Sequence, residues 1–384
     1  MDLEGPLAAP WRHSTEPAEE APPVPNPART APAEPAVDDL AAAPYPGGDP
    51  YADYRGADFA FTALPDLADR RLGGAVLAAG DEFFADRENL LKPDPAEFRP
   101  HTFTAKGQLM DGWETRRRRG RTTGAPHPGP DDHDWALIRL GVPGTVRGVL
   151  VDTAHFRGNH PLAVSVEATE LPGTPGPEDL DAADWHPLVP RSPVRGHAAN
   201  GYPVTDPRRV THLRIRQYPD GGIARLRVHG EPRPDRAWLT ALGTFDLAAL
   251  AHGGTVEDAS DRFFSSPVNL IMPGTSRVMG EGWETRRRRD RGADWVRLRL
   301  AGRGLIRAVE IDTANYLGNA AGWAGLRGRD GEDGAWFDLL PLTRLQPDTL
   351  HRLPLDRPRP ATHVRLDVLP DGGIARLRLH GSLL

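Results

Sequence analysis

Along much of this chain apolar and polar residues alternate with a period of two. Val296, Leu298 and Leu300 alternate with Arg297 and Arg299, Leu213 and Ile215 with Arg214 and Arg216, Val364, Leu366 and Val368 with Arg365 and Asp367, and Leu377 and Leu379 with Arg378 and His380. Successive side chains of a strand point to opposite faces, so each run predicts a strand with one buried and one solvated side. Gly, Pro and Asp cluster between the runs, and helical candidates are brief, near Leu64 to Leu77 and Asp246 to Ala251. Short punctuated strands predict antiparallel sheets packed face to face, and the expected fold class is all-β. Core-like texture begins at Phe59. The first fifty residues hold twelve prolines, much Ala and Glu, and almost no aliphatic periodicity. Such a segment cannot bury enough surface to offset the entropy of ordering, which predicts a disordered Pro/Ala-rich tail over residues 1–55.

The chain also repeats itself. Asp81, Phe83, Phe84, Asn89 and Leu90 recur as Asp261, Phe263, Phe264, Asn269 and Leu270, an offset of 180. Gly112 to Arg119 (Gly-Trp-Glu-Thr-Arg-Arg-Arg-Arg) recurs identically as Gly282 to Arg289, an offset of 170. Asp152-Thr153-Ala154 matches Asp312-Thr313-Ala314 at 160, and Pro219 to Arg227 is identical to Pro370 to Arg378 at 151. Constant order with a shrinking offset predicts a duplicated domain whose first copy has longer loops. The insertions fall between Arg119 and Asp134 and around Pro172 to Glu178, both of loop composition. The expected domains are 56–232 and 238–384, joined near Pro232 to Trp238, each a β-sandwich of jelly-roll type.

Composition narrows the function classes. At 39% hydrophobic and 26% charged over 384 residues, the chain can fill two cores, and no apolar run nears the roughly 18 residues of a membrane-spanning helix. Cysteine is absent, which removes disulfides, a thiol nucleophile, iron-sulfur clusters and thiolate zinc sites. The N-terminus lacks the basic and apolar regions of a secretory signal, so a cytoplasmic location is expected. A net charge of -6 argues against a nucleic-acid partner. Only Lys92 and Lys106 are lysines among 47 basic residues, so the wealth of arginine reads as the codon bias of a GC-rich genome.

The repeated blocks resemble the allantoicase family. The residues that carry the resemblance are Asp81 to Phe84, Met110 to Arg119, Val151 to Asn159 and Pro219 to Arg227, and it spans about residues 59–384 in both copies. It implies two tandem galactose-binding-like jelly rolls and hydrolysis of allantoate to ureidoglycolate and urea in purine-nitrogen salvage. The second copy departs at Asn315-Tyr316, where the first has His155-Phe156, and at Ala320-Ala321, where the first has His160-Pro161. These departures make the first copy the expected centre of catalysis.

Expelling urea from an aminal-like carbon calls for a group that holds the substrate carboxylate, a proton donor to departing urea, and a base for water. Asp152, His155 and Asn159 follow the apolar strand Val149 to Val151, where loops of a sandwich carry sites. His155 is the expected acid/base with Asp152 orienting it, and Glu114 is the third catalytic candidate. Asp and Thr at 152 and 153 also suit a plain strand-end turn. Arg116, Asn159, Asp220 and Arg225 are the expected substrate-binding residues, with Arg116 and Arg225 competing for the carboxylate because a guanidinium forks onto it. A strand over Glu114 to Arg119 would place Glu114, Arg116 and Arg118 on one face. A salt-bridged strand for that run and a hairpin turn for Pro219 to Gly222 are the structural alternatives. The second-copy counterparts are Glu284, Arg286, Asp312, Asn319, Asp371 and Arg376. No cofactor is expected; His155, His160 and Asp152 have ligand chemistry, but their spacing is not a metal signature. The expected partner is allantoate, with self-association into a homo-oligomer left open. The competing readings are a tandem carbohydrate-binding module, disfavoured by charged, Asn-rich loops without aromatic platforms, and a duplicated scaffold that only assembles subunits.

Overall fold

The computed structural model describes residues 59–384 and the two-residue strand Ala43–Pro44, which pairs antiparallel with Ala199 and Ala198. The rest of the expected tail lies outside the described residues. Each repeat is organised around one 19-residue strand that serves two sheets. In the first, Asp134–Asp152, the leading half lies between Ala75–Ala79 and Arg209–Tyr218, and the trailing half between Arg225–Pro232 and Ala198–Pro203. The changeover falls at Gly141 to Gly144, where Pro143 has no N–H to continue a ladder. In the second, Asp294–Asp312 passes from Thr255–Ala259 and Pro360–Leu369 to Arg376–Leu383 and Leu350–Pro354. A strand that turns such a corner joins two sheets whose inner faces enclose a core. Ala163–Thr169 with His186–Pro193, and Trp323–Arg329 with Phe337–Arg344, extend the leading sheets. The expected all-β pair of jelly-roll sandwiches is what forms.

The cores follow the alternation. Leu213, Ile215, Val296, Leu298, Val364, Leu366, Leu377 and Leu379 are all buried without measurable exposure. The helical candidates are corrected. Arg70–Leu72 and Leu250–His252 are single 3-10 turns, ended by Gly73 and Gly253 at φ of 94° and 99°, and Ala75–Ala79 is a strand. Glycine adopts that left-handed geometry without a Cβ penalty and stops the turn. The α-helices among the described residues are Pro177–Asp181, in the first copy's insertion, and Arg236–Leu242, in the linker. Asp235 caps the latter, accepting from the Ala237 amide at 2.8 Å. The linker therefore continues to Phe245–Asp246, the opening strand of the second repeat. No helix among the described residues is long and apolar enough to cross a membrane.

Candidate active site

Trp113 fixes the starting point. It is fully buried and its Nε1 donates to the Asp81 carbonyl at 2.7 Å, so the core holds both the Trp113–Glu114 strand and the loop that carries Phe83 and Phe84. Glu114 then exchanges backbone hydrogen bonds with Ala85 at 3.1 and 3.2 Å and pairs with Gly222. A Cβ on Gly222 would sit 2.0 Å from the Phe156 ring, so only glycine lets this strand reach Glu114. The Gly222 amide donates to the Asn159 carbonyl at 2.7 Å, and Asn159 Nδ2 donates to Glu114 Oε1 at 2.8 Å. The second repeat rebuilds most of this, with the Glu284 amide donating to Ser265 Oγ at 2.9 Å where Glu114 pairs with Ala85. Trp283 Nε1 holds the Asp261 carbonyl at 2.9 Å, Glu284 pairs with Gly373, and Asn319 Nδ2 donates to Glu284 Oε1 at 2.7 Å.

Burial pushes the half-buried Glu114 carboxyl above its ordinary value, and the Asn159 hydrogen bond and the nearby Arg117 charge offset only part of that rise. Arg117 is exposed and makes no ion pair or hydrogen bond among the described residues, as does Arg287 in the second repeat. Phe83 and Phe84 are exposed and stand edge to face at 5.1 Å with the Arg116 guanidinium over Phe83, matched by Phe263 and Phe264 at 4.9 Å under Arg286.

Other expected site residues make structural contacts. Arg225 is 1% exposed. Its five N–H groups donate to the carbonyls of Asp94, Pro95, Asp111 and Ala224 and to Asp111 Oδ2. A guanidinium has five donors, so none remains for a substrate carboxylate. Arg376 is buried likewise, on the carbonyls of Gly274, Glu281 and Ala375, and burial pulls it down to about 10. Arg116 Nε donates to Asp81 Oδ2 at 2.6 Å, and Arg286 to Asp261 at 2.7 Å. Asp220 and Asp371 each accept a backbone amide at 2.7 Å, from Arg118 and Arg288. The Glu114 to Arg119 strand is also corrected, since regular pairing ends at Glu114.

The Asp152–His155 pair does not form. Asp152 Oδ1 accepts from the Ala154 amide at 2.8 Å, as Asp312 does from Ala314. His155, at φ 68°, donates from Nε2 to the Ala96 carbonyl at 3.1 Å and stacks on Phe98. Asn315 has the same geometry, φ 70°, with Nδ2 donating to the Ser276 carbonyl at 3.0 Å. Both residues pin the facing loop, and burial pushes the His155 ring below its ordinary pKa. His160 Nδ1 turns to the Arg157 carbonyl at 3.1 Å, so the three metal-ligand candidates are not gathered.

The family model for the allantoicase repeat matches residues 65–233 and 245–384. This chain belongs to the allantoicase family. It is 63% identical over 342 residues to a probable allantoicase of Streptomyces avermitilis, covering 88% of this chain and 91% of that protein. It is 55% identical to a probable allantoicase of Nocardia farcinica, covering 84% and 95%. The crystal structure of allantoicase from Saccharomyces cerevisiae superposes with a TM-score of 0.70 at 30% identity, covering 88% of this chain and 99% of that one. In this allantoicase-family chain the candidate residue that sequence reasoning missed is Arg117. Strict alternation from Glu114 set it on the opposite face; Arg119 is exposed and without an ion pair or hydrogen bond among the described residues as well, and what singles out Arg117 is that its charge acts on Glu114.

Proposed function

We propose that the chain hydrolyses allantoate to ureidoglycolate and urea at two like sites, Glu114 with Asn159 and Glu284 with Asn319. Allantoate carries a carboxylate and two ureido groups on one carbon. Breaking one C–N bond requires a proton on the departing nitrogen, while water adds its oxygen to the carbon and loses a proton. Glu114 serves as the acid/base: a carboxyl raised by burial holds and releases a proton closer to neutral pH than an ordinary glutamate. Asn159 uses one N–H on Glu114, and its second N–H and its carbonyl remain to bond a ureido group, which has both donors and acceptors. Arg117 holds the substrate carboxylate through a forked, charge-assisted contact. Phe83 and Phe84 shield one side of the site. Recurrence of the Glu–Asn pair in both repeats, against the loss of histidine from the second, is the observation that supports this reading. No cofactor is invoked, because every proton moves through these side chains. Incubating the purified chain with allantoate is expected to release urea and ureidoglycolate in equal amounts. A folded chain that releases neither would return the carbohydrate-binding reading to the front.

A further inference from the structure

Far from Glu284 in the second repeat's sequence, His363 on Pro360–Leu369 is 2% exposed, yet its Nε2 makes no directed hydrogen bond among the described residues. Two carboxylate oxygens face it: Glu257 Oε1 at 3.2 Å, from Thr255–Ala259, and Glu332 Oε1 at 3.3 Å, from the loop after Trp323–Arg329. On the other side of the ring, Nδ1 lies 2.8 Å from Thr362 Oγ1. That hydroxyl also accepts from the Gly331 amide at 2.8 Å and reaches the Arg329 carbonyl at 3.2 Å. A hydroxyl has one hydrogen and two lone pairs. With its hydrogen on the carbonyl, it accepts from Gly331 N–H and from Nδ1–H. The Nε2 lone pair is then turned toward two carboxylates, an arrangement that calls for a positive charge between them.

We propose that His363, Glu257 and Glu332 bind one divalent transition-metal cation of the zinc class. Nitrogen and oxygen ligands held 2.0 to 2.2 Å from zinc at tetrahedral angles stand roughly 3.3 Å apart, which is the spacing of Nε2 from both oxygens. The three ligand atoms lie within 4.8 Å of one another. Each carboxylate is oriented by an arginine on its other oxygen: Arg297 Nε donates to Glu257 Oε2 at 3.0 Å, and Arg329 Nη2 to Glu332 Oε2 at 3.2 Å. Such supporting contacts fix first-layer ligands, while the two guanidinium charges hold the affinity to a moderate level. Both glutamates are exposed, so water completes the coordination. The bound cation ties the Glu332 loop to Thr255–Ala259.

The first repeat supplies an internal control. His212 is 3% exposed, its Nδ1 lies 2.9 Å from Thr211 Oγ1, the Leu171 amide donates to that hydroxyl, and Nε2 again makes no hydrogen bond among the described residues. Where the second repeat has Glu257 and Glu332, the first has Leu77 and Pro172. The histidine and threonine are shared, and the carboxylates belong to the second repeat alone.

The test is calorimetric titration of the metal-free full chain with zinc chloride, beside a thermal melt with zinc and then with a chelator. One saturable site per chain is expected, with a rise in Tm that the chelator reverses. Glu257→Leu installs the first repeat's residue and is expected to weaken zinc binding at least 10-fold without changing kcat on allantoate. Magnesium, which favours all-oxygen sites, is expected not to compete. Absence of saturable zinc binding would overturn the proposal. So would zinc binding that Glu257→Leu and His363→Gln both leave at the parent affinity, or an Nε2 proton on His363 that persists by NMR when zinc is added.

Discussion

In Glu114, burial and hydrogen bonding act on one carboxylate in opposite directions, and burial prevails. If that carboxylate is the base, the acid limb of kcat/KM reports its free-enzyme pKa. In a Glu284→Gln background, where only the first site works, that limb is expected above the ordinary carboxylate range. Glu114→Asp, which keeps the charge, should retain a limb, while a limb at the unshifted glutamate value would remove Glu114 from the role. Arg117 and Arg225 divide binding from stability. In the same Glu284→Gln background, Arg117→Ala is expected to raise KM for allantoate by roughly 10- to 200-fold, the equivalent of losing about 1.5 to 3 kcal/mol of charge-assisted contact, with Tm unchanged. Arg225→Lys leaves buried carbonyls without donors, so it is expected to lower Tm while KM of the folded enzyme stays put. The reverse pattern, read from melts and steady-state kinetics, would restore Arg225 to the substrate.

The Gly221–Gly222 approach decides whether Glu114 meets Asn159. Gly222→Ala pushes a methyl into Phe156, and overpacking of this kind typically costs about 1 to 3 kcal/mol. The midpoint of urea denaturation is expected to fall, and Gly373→Ala against Tyr316 should behave alike. Gly158→Ala meets nothing within 4 Å and is expected to be neutral; equal losses at Gly158 and Gly222 would show that backbone entropy, not contact, is responsible. Strands and repeats were legible because Leu213, Ile215, Val296 and Leu298 alternate so regularly. Glu114, Asn159 and their counterparts were also named from the sequence. The pairing of Glu114 with Asn159 was not legible, since it depends on a glycine strand packing on Phe156 from far along the chain. Nor could the sequence tell Arg225 from Arg117: both are arginines beside repeated motifs, and only burial against the Asp94 to Asp111 segment commits one of them.

Across the whole molecule, acid stability gathers contributions from individual carboxylates. Burial opposes the Asp111 charge, but hydrogen bonds from Arg225, the Glu97 amide and Lys92 outweigh it and hold Asp111 at about 2. A carboxyl whose folded pKa lies below its unfolded value binds fewer protons folded, so its stabilisation is complete above roughly pH 4 and is lost as pH falls toward 2. Part-buried Asp66 acts in the opposite sense: desolvation raises it to about 6 despite Arg227, so it favours folding more strongly as pH falls from about 6 to 4. Asp111→Asn is expected to flatten the Tm profile between pH 2 and 4, and Asp66→Asn between 4 and 6; melts that keep their slopes would contradict those assignments. Each repeat carries its own Glu–Asn pair, and under the proposed function both pairs work in catalysis. The most direct measurement is the rate of urea release from allantoate by Glu114→Gln, Glu284→Gln and the double variant, each checked for fold by circular dichroism. Each single variant is expected to keep a substantial share of turnover, and the double variant to lose on the order of 10²-fold or more. A double variant that turns over near the parent rate would contradict the account and place the chemistry away from both pairs.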